Sequence, residues 1–111
     1  MVDAVFYRNA DFKIVGFSVS GHADYADHGK DIVCAAVSAM SSLVVNTLEE
    51  IFVYGGTLNV GKSGKLVYFL PDINPDEQKN GNMILDGFRL QLEEYSRTYP
   101  KNIKVRFDEA K

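Results

Sequence analysis

Ile32-Val33-Cys34-Ala35-Ala36-Val37-Ser38-Ala39-Met40-Ser41-Ser42-Leu43-Val44-Val45 is the stretch on which the fold turns. Val33, Val37, Met40 and Val44, continued by Leu48 and Ile51, recur every three or four residues, which predicts a helix over 32–54 with one buried stripe. Asp31 stands where an N-cap is expected and Gly55-Gly56 supplies a stop. The first half is slim, with Ala35, Ala36, Ser38, Ala39, Ser41 and Ser42 around the stripe. Val45 and Phe52 add apolar character away from it, so this helix is expected to be covered on more than one side. In a chain of 111 residues the second cover can be another copy, and a homodimer is expected.

On the N-terminal side, residues 2–8 and 12–20 read as strands, with Val15, Phe17 and Val19 alternating and Asn9-Ala10-Asp11 between the two. Residues 23–30 are polar and aperiodic, a loop. Beyond the helix, residues 57–60 and 65–70 flank Gly61-Lys62-Ser63-Gly64, a hairpin. Gly61-Lys62-Ser63 resembles the tail of a phosphate loop, but the earlier glycine is missing and no helix follows, so nucleotide binding is rejected. A second helix opens at Asn74-Pro75-Asp76-Glu77, a capping box with proline at the first helical position. Ile84, Phe88, Leu92 and Tyr95 form its expected stripe, with Gly81 and Gly87 weakening it. After Pro100, Ile103, Val105 and Phe107 alternate with Lys104 and Arg106 as a last strand. The order ββαββαβ predicts one domain over residues 1–111, an α+β two-layer fold whose mainly antiparallel sheet is covered by two helices.

Composition sets the surroundings. A hydrophobic content of 46% with 12% aromatic supports a single core. A net charge of −3 without a basic cluster argues against direct nucleic-acid binding. The unpaired thiol, the absence of a basic-apolar-small leader and the lack of an apolar run long enough to span a bilayer predict a cytoplasmic chain without a membrane segment.

Cys34 is the only cysteine, and it lies twelve residues after His22 in Ser20-Gly21-His22-Ala23. Near the start of a helix a thiolate is favoured by unpaired amides and the positive dipole end, and an imidazole beside it completes a nucleophile-base pair. A buried, inert cysteine fits the same spacing, and both readings stand at this level. The other histidine, His28, lies in the polar loop and reads as a solvated ring. One cysteine and two histidines do not match the paired ligand patterns of zinc sites, so no metal and no cofactor are expected. Asp31 has two roles open, helix cap or third catalytic member orienting His22, and the cap is favoured. Ser38, one turn after Cys34, reads as packing, and residues 23–30 as a lid hinged at Gly21 and Gly29.

Ser20-Gly21-His22-Ala23 followed by Gly29-Lys30-Asp31-Ile32-Val33-Cys34-Ala35-Ala36-Val37-Ser38 resembles the ribosomal-processing cysteine protease family, Prp. The resemblance implies a cytoplasmic, homodimeric cysteine endopeptidase that removes the N-terminal extension from the precursor of large-subunit ribosomal protein L-twenty-seven. It implies that His22 and Cys34 are the catalytic pair, and that the groove accepts the aromatic side chains of a peptide ending in paired phenylalanines. Asp24 departs from the family's glycine after Gly-His-Ala, which changes the backbone freedom of the loop but not the pair. On thiol chemistry the oxyanion donors are expected at the backbone amides of Cys34 and Ala35. A non-enzymatic dimeric module and a different cysteine hydrolase, a thioesterase or amidase, are the rival classes.

Overall fold

The computed structural model describes residues 1–21, 28–62 and 64–110, with the backbone alone for 28–31. Val2–Arg8 (β1) and Ile14–Ser20 (β2) form an antiparallel hairpin, and His28–Asn46 (α1) follows. Thr57–Val60 (β3) and Leu66–Phe69 (β4) make the second hairpin. Pro75–Thr98 (α2) and Ile103–Glu109 (β5) complete the chain. The five strands lie in one mixed sheet in the order β3-β4-β2-β1-β5, antiparallel throughout except for β1 with β5. This is the expected α+β architecture.

Both helices cover the same face of the sheet. Phe6, Phe17 and Tyr68 occupy neighbouring positions across β1, β2 and β4, and Phe88 of α2 stands edge-on over Phe17 with ring centroids 5.0 Å apart. Val2, Ala4, Val19, Val33, Val37, Leu48, Leu85, Leu92 and Ile103 close the core around these rings. In α2 the side chain of Asn74 accepts from the Glu77 amide at 3.0 Å, as the capping box requires. The stripe of α2 is corrected: Leu85, Phe88 and Leu92 are its buried side chains, whereas Ile84 and Tyr95 are half-buried at its margins. Gly81 is a point of close approach, because a Cβ there would lie 3.0 Å from Leu70 and 3.3 Å from Tyr54.

Three expectations about α1 are also corrected. It begins at His28, so Cys34 is the seventh helical residue and Asp31 the fourth; Asp31 is inside the helix and does not cap it. It ends at Asn46 and passes into a π-helical turn, Thr47–Ile51, before the chain leaves through Val53 and Gly55, both at positive φ. Ile51, assigned to the buried stripe, is exposed, while Val45 and Ser41 are buried. The Ser41 hydroxyl donates to the carbonyl of Val37 at 2.7 Å, which explains how a serine enters the core. Ile32–Ile51 also has the length and apolar composition of a membrane span, contrary to the sequence reading. The same composition serves a helix that lays one face on a sheet, as Val33, Val37, Val44 and Leu48 do here.

The π turn has a visible consequence. It presents Glu49 to β4, where one carboxylate oxygen accepts from the Tyr68 hydroxyl at 2.7 Å and from the Gly56 amide at 3.0 Å. Burial, followed by the hydrogen bond to Glu49, pushes the Tyr68 phenol well above its usual range.

Candidate active site

Connectivity brings the motif residues to one end of the sheet. β2 finishes at Ser20, and α1 must run back along it, because it leads into β3, which is parallel to β2 through their shared partner β4. The first turns of α1 therefore stand at the end where β2 stops. Gly21 makes that exit possible: its φ is +83°, and a Cβ would sit 2.1 Å from the Met1 carbonyl oxygen. Any other residue is excluded twice over, by backbone angle and by contact. The glycine of the Gly-His pair is thus a geometric requirement for turning the chain just before the histidine. His22 itself lies outside the described residues, as do Ala23 to Asp27 and with them most of the expected lid; residues 28–30, read as the end of that loop with Gly29 as its second hinge, are instead the start of α1, and the side chains of His28 and Asp31 are not described.

Cys34 is a free thiol, half-buried, packed against the margin of the core. It lies on a flank of α1 shared by Ser38, Ser41, Val45 and, in the π turn, Glu49, a spacing of four, three, four and four residues. Since Glu49 bonds to Tyr68 of β4 and to Gly56 just ahead of β3, this flank faces the β3–β4 side. Ser38 is exposed and the packing role expected of it belongs to Ser41 instead. The flank is visible in the sequence only once the start of the helix and its sheet-facing stripe are fixed.

The expected oxyanion donors are corrected. Amides of the seventh and eighth residues of a helix are committed to carbonyls four residues earlier, so those of Cys34 and Ala35 are not free. The dipole argument weakens for the same reason, because its effect fades beyond the first turn. Side chains lean toward the N-terminus of their helix, which aims Cys34 back over the turn formed by 30–31, next to the amides of 28–30 that have no helical acceptor. Among the described residues no three His, Cys, Asp or Glu side chains gather as a metal site.

The family model described as cysteine protease Prp matches residues 1–104. The chain is 32% identical over 107 residues to the ribosomal processing cysteine protease Prp of Bacillus subtilis, covering 95% of this chain and 96% of that one. Its fold superposes with a TM-score of 0.85 on the crystal structure of the Staphylococcus aureus ribosomal processing protease Prp in complex with a substrate peptide, at 25% identity over 97% of this chain and all of that one. The same S. aureus protease with a covalently linked product peptide gives a TM-score of 0.81 at 27% identity, with the same coverage.

Proposed function

The chain belongs to the cysteine protease Prp family and is a cysteine protease; from that premise we propose that Cys34 and His22 cut the N-terminal extension from the precursor of ribosomal protein L-twenty-seven. The observation that carries the assignment is that Cys34 is the only thiol in the chain, in a family whose S. aureus member has been seen covalently joined to product. His22 takes the Cys34 proton, and the thiolate attacks the scissile carbonyl carbon. The oxyanion is met by first-turn amides of α1 within 28–30, in place of the amides of Cys34 and Ala35. His22 then protonates the departing amine, leaving an acyl-enzyme that water releases as the new carboxylate. With the thiol seven residues into the helix, most of its activation falls to the imidazole.

The protein acts as a homodimer in the cytoplasm in this reading, without touching nucleic acid. Support for the dimer comes from the face of α1 turned away from the sheet, where Ile32 and Leu43 are 53% and 65% exposed with Ala35 and Ala39 exposed between them. A thioesterase or amidase uses the same pair, and substrate separates the classes. Precursor bearing its extension is incubated with enzyme and followed by intact-mass spectrometry. The expected result is loss of the extension with wild type and an unchanged mass with Cys34→Ser; an uncut precursor with wild type would reject the proposed substrate.

A further inference from the structure

The contacts that seat α1 on the sheet are apolar: Val33, Val37, Val44, Val45 and, just beyond its end, Leu48 are buried in the core. Such contacts are non-directional, so they hold a helix against a sheet without fixing its rotation about its own axis. Hydrogen bonds within α1 do not supply the missing restraint. Among the described side chains of the helix the one polar group that bonds is the Ser41 hydroxyl, and it turns back to Val37 of the same helix. Thr47 does likewise, donating to the Leu43 carbonyl at 2.7 Å. The first side chain to tie this segment to the sheet is Glu49.

Residues 47–56 are built around that tie. One oxygen of Glu49 accepts from Tyr68, which is fully buried in β4, and from the amide of Gly56. A Cβ at Gly56 would stand 2.5 Å from the Tyr68 hydroxyl and 2.5 Å from the Phe69 carbonyl oxygen, so this approach requires glycine. Tyr54 fastens the same segment to α2: its hydroxyl donates to the Glu77 carbonyl at 3.0 Å and accepts from the Gly81 amide at 3.1 Å. Those two groups are four residues apart in α2, so the phenol is seated in the hydrogen-bond ladder of that helix. The chain reaches these partners through Val53 at φ +56°, a conformation that a β-branched residue adopts only where its surroundings impose it.

The consequence lies at the other end of the helix. Glu49 shares its flank with Cys34, Ser38, Ser41 and Val45, so a tie at one end sets the rotation of the flank that carries the thiol. A group about 5 Å from a helix axis moves ~1 Å for roughly 11° of rotation, and a misplacement on that scale costs up to about a hundredfold in rate. We propose that Glu49 is a positioning residue for the reaction: through Tyr68 and Gly56 it locks the rotation of α1, and with it the aim of the Cys34 thiol. Tyr54 braces the lock against α2. This inference rests on the reading of Cys34 as the nucleophile and assigns a role to a residue remote from the sulfur.

The test compares Glu49→Ala with Glu49→Gln, which keeps an oxygen to accept from Tyr68 and Gly56, at a temperature where circular dichroism shows both folded. Glu49→Ala is expected to lower kcat for cleavage of the precursor by about tenfold with KM within about twofold of wild type, and Glu49→Gln to recover most of that loss. Tyr68→Phe, which removes one hydroxyl and leaves the ring in place, is expected to act in the same direction, and the double variant with Glu49→Ala to lose no more than Glu49→Ala alone. Should Glu49→Ala not fold, Tyr68→Phe decides. A residue serving stability alone would leave kcat of the folded enzyme unchanged, and that result overturns the proposal. The second readout is independent of cleavage: the rate of Cys34 alkylation by iodoacetamide at neutral pH is expected to fall about threefold or more in Glu49→Ala and to return in Glu49→Gln, as a thiol turned away from its base loses thiolate. Equal rates in the three proteins overturn the proposal as well. If wild type leaves the precursor uncut, the assignment of function fails, while alkylation still decides whether Glu49 governs the thiol.

Discussion

At the residue scale, Gly21 and Glu49 explain most of what the sequence motifs left implicit. The Gly-His pair had been legible as chemistry, but its glycine is there for shape: a positive φ and the Met1 carbonyl oxygen at 2.1 Å from any Cβ leave no room for a side chain. Gly21→Ala should therefore lower kcat/KM by more than tenfold, an estimate of order set by the sensitivity of catalysis to misplacements of about 1 Å. Peptide cleavage kinetics beside thermal unfolding would check it, with activity falling further than stability. Glu49 was not singled out by any motif, because its role depends on a π turn that propensity does not reveal. Tyr68→Phe should cost about 1.5–3 kcal/mol, the range for a hydrogen bond to a charged acceptor. The phenol's raised pKa also fixes a sign. Below its ordinary value of about 10 the contribution is complete, and it is lost as pH climbs beyond that point, because the unfolded chain releases the proton while the folded one retains it. Urea midpoints at neutral pH and near pH 11 should show a smaller alkaline loss for Tyr68→Phe than for wild type; equal losses would remove Tyr68 from the explanation.

At the scale of elements, the strands and the cap of α2 were readable because their signals are local. Alternation in β2 and β5, the glycines of the second hairpin and the Asn74 box each act within a few residues, and each appears where expected. The ends of α1 were not readable, since the polar 28–31 gives no periodic signal and its helical state is decided by tertiary context. The stripe failed at Ile51 for a related reason: the π turn adds a residue per turn and rotates later positions off the buried face, bringing Glu49 inward and leaving Ile51 outside. Two glycines, one in α2 and one in β2, have opposite surroundings. Gly87 has open space where a Cβ would be, so Gly87→Ala should stabilise the protein by about 0.5–1 kcal/mol through helix propensity. Gly16 in β2 is the contrast, with Phe69 at 2.4 Å and the Tyr68 carbonyl at 2.6 Å from a Cβ, and Gly16→Ala should destabilise by about 1–3 kcal/mol through overpacking. Urea denaturation of both variants would show opposite shifts in midpoint.

Across the whole molecule, one asymmetry follows from packing. Two helices cannot cover five strands, and all four residues of the edge strand β3 are left exposed. Apolar surface is also exposed on the outer face of α1, where Leu43→Glu should convert the proposed dimer to a monomer in light scattering without unfolding it; a dimer that survives the charge would place the interface elsewhere. The sequence made the architecture and the candidate Cys34–His22 pair legible, and the resemblance decided for catalysis over an inert, buried cysteine. What it left hidden was which flank of α1 the thiol occupies, since that depends on packing against a distant strand. In the proposed mechanism the sulfur of Cys34 becomes covalently acylated by the peptide that the enzyme cuts. Rapid quenching of enzyme with an aromatic peptide, followed by proteolysis and mass mapping, tests this directly. An acyl mass increment is expected on the fragment containing Cys34, abolished in Cys34→Ser and strongly reduced in His22→Ala; undiminished cleavage by Cys34→Ser would refute the mechanism.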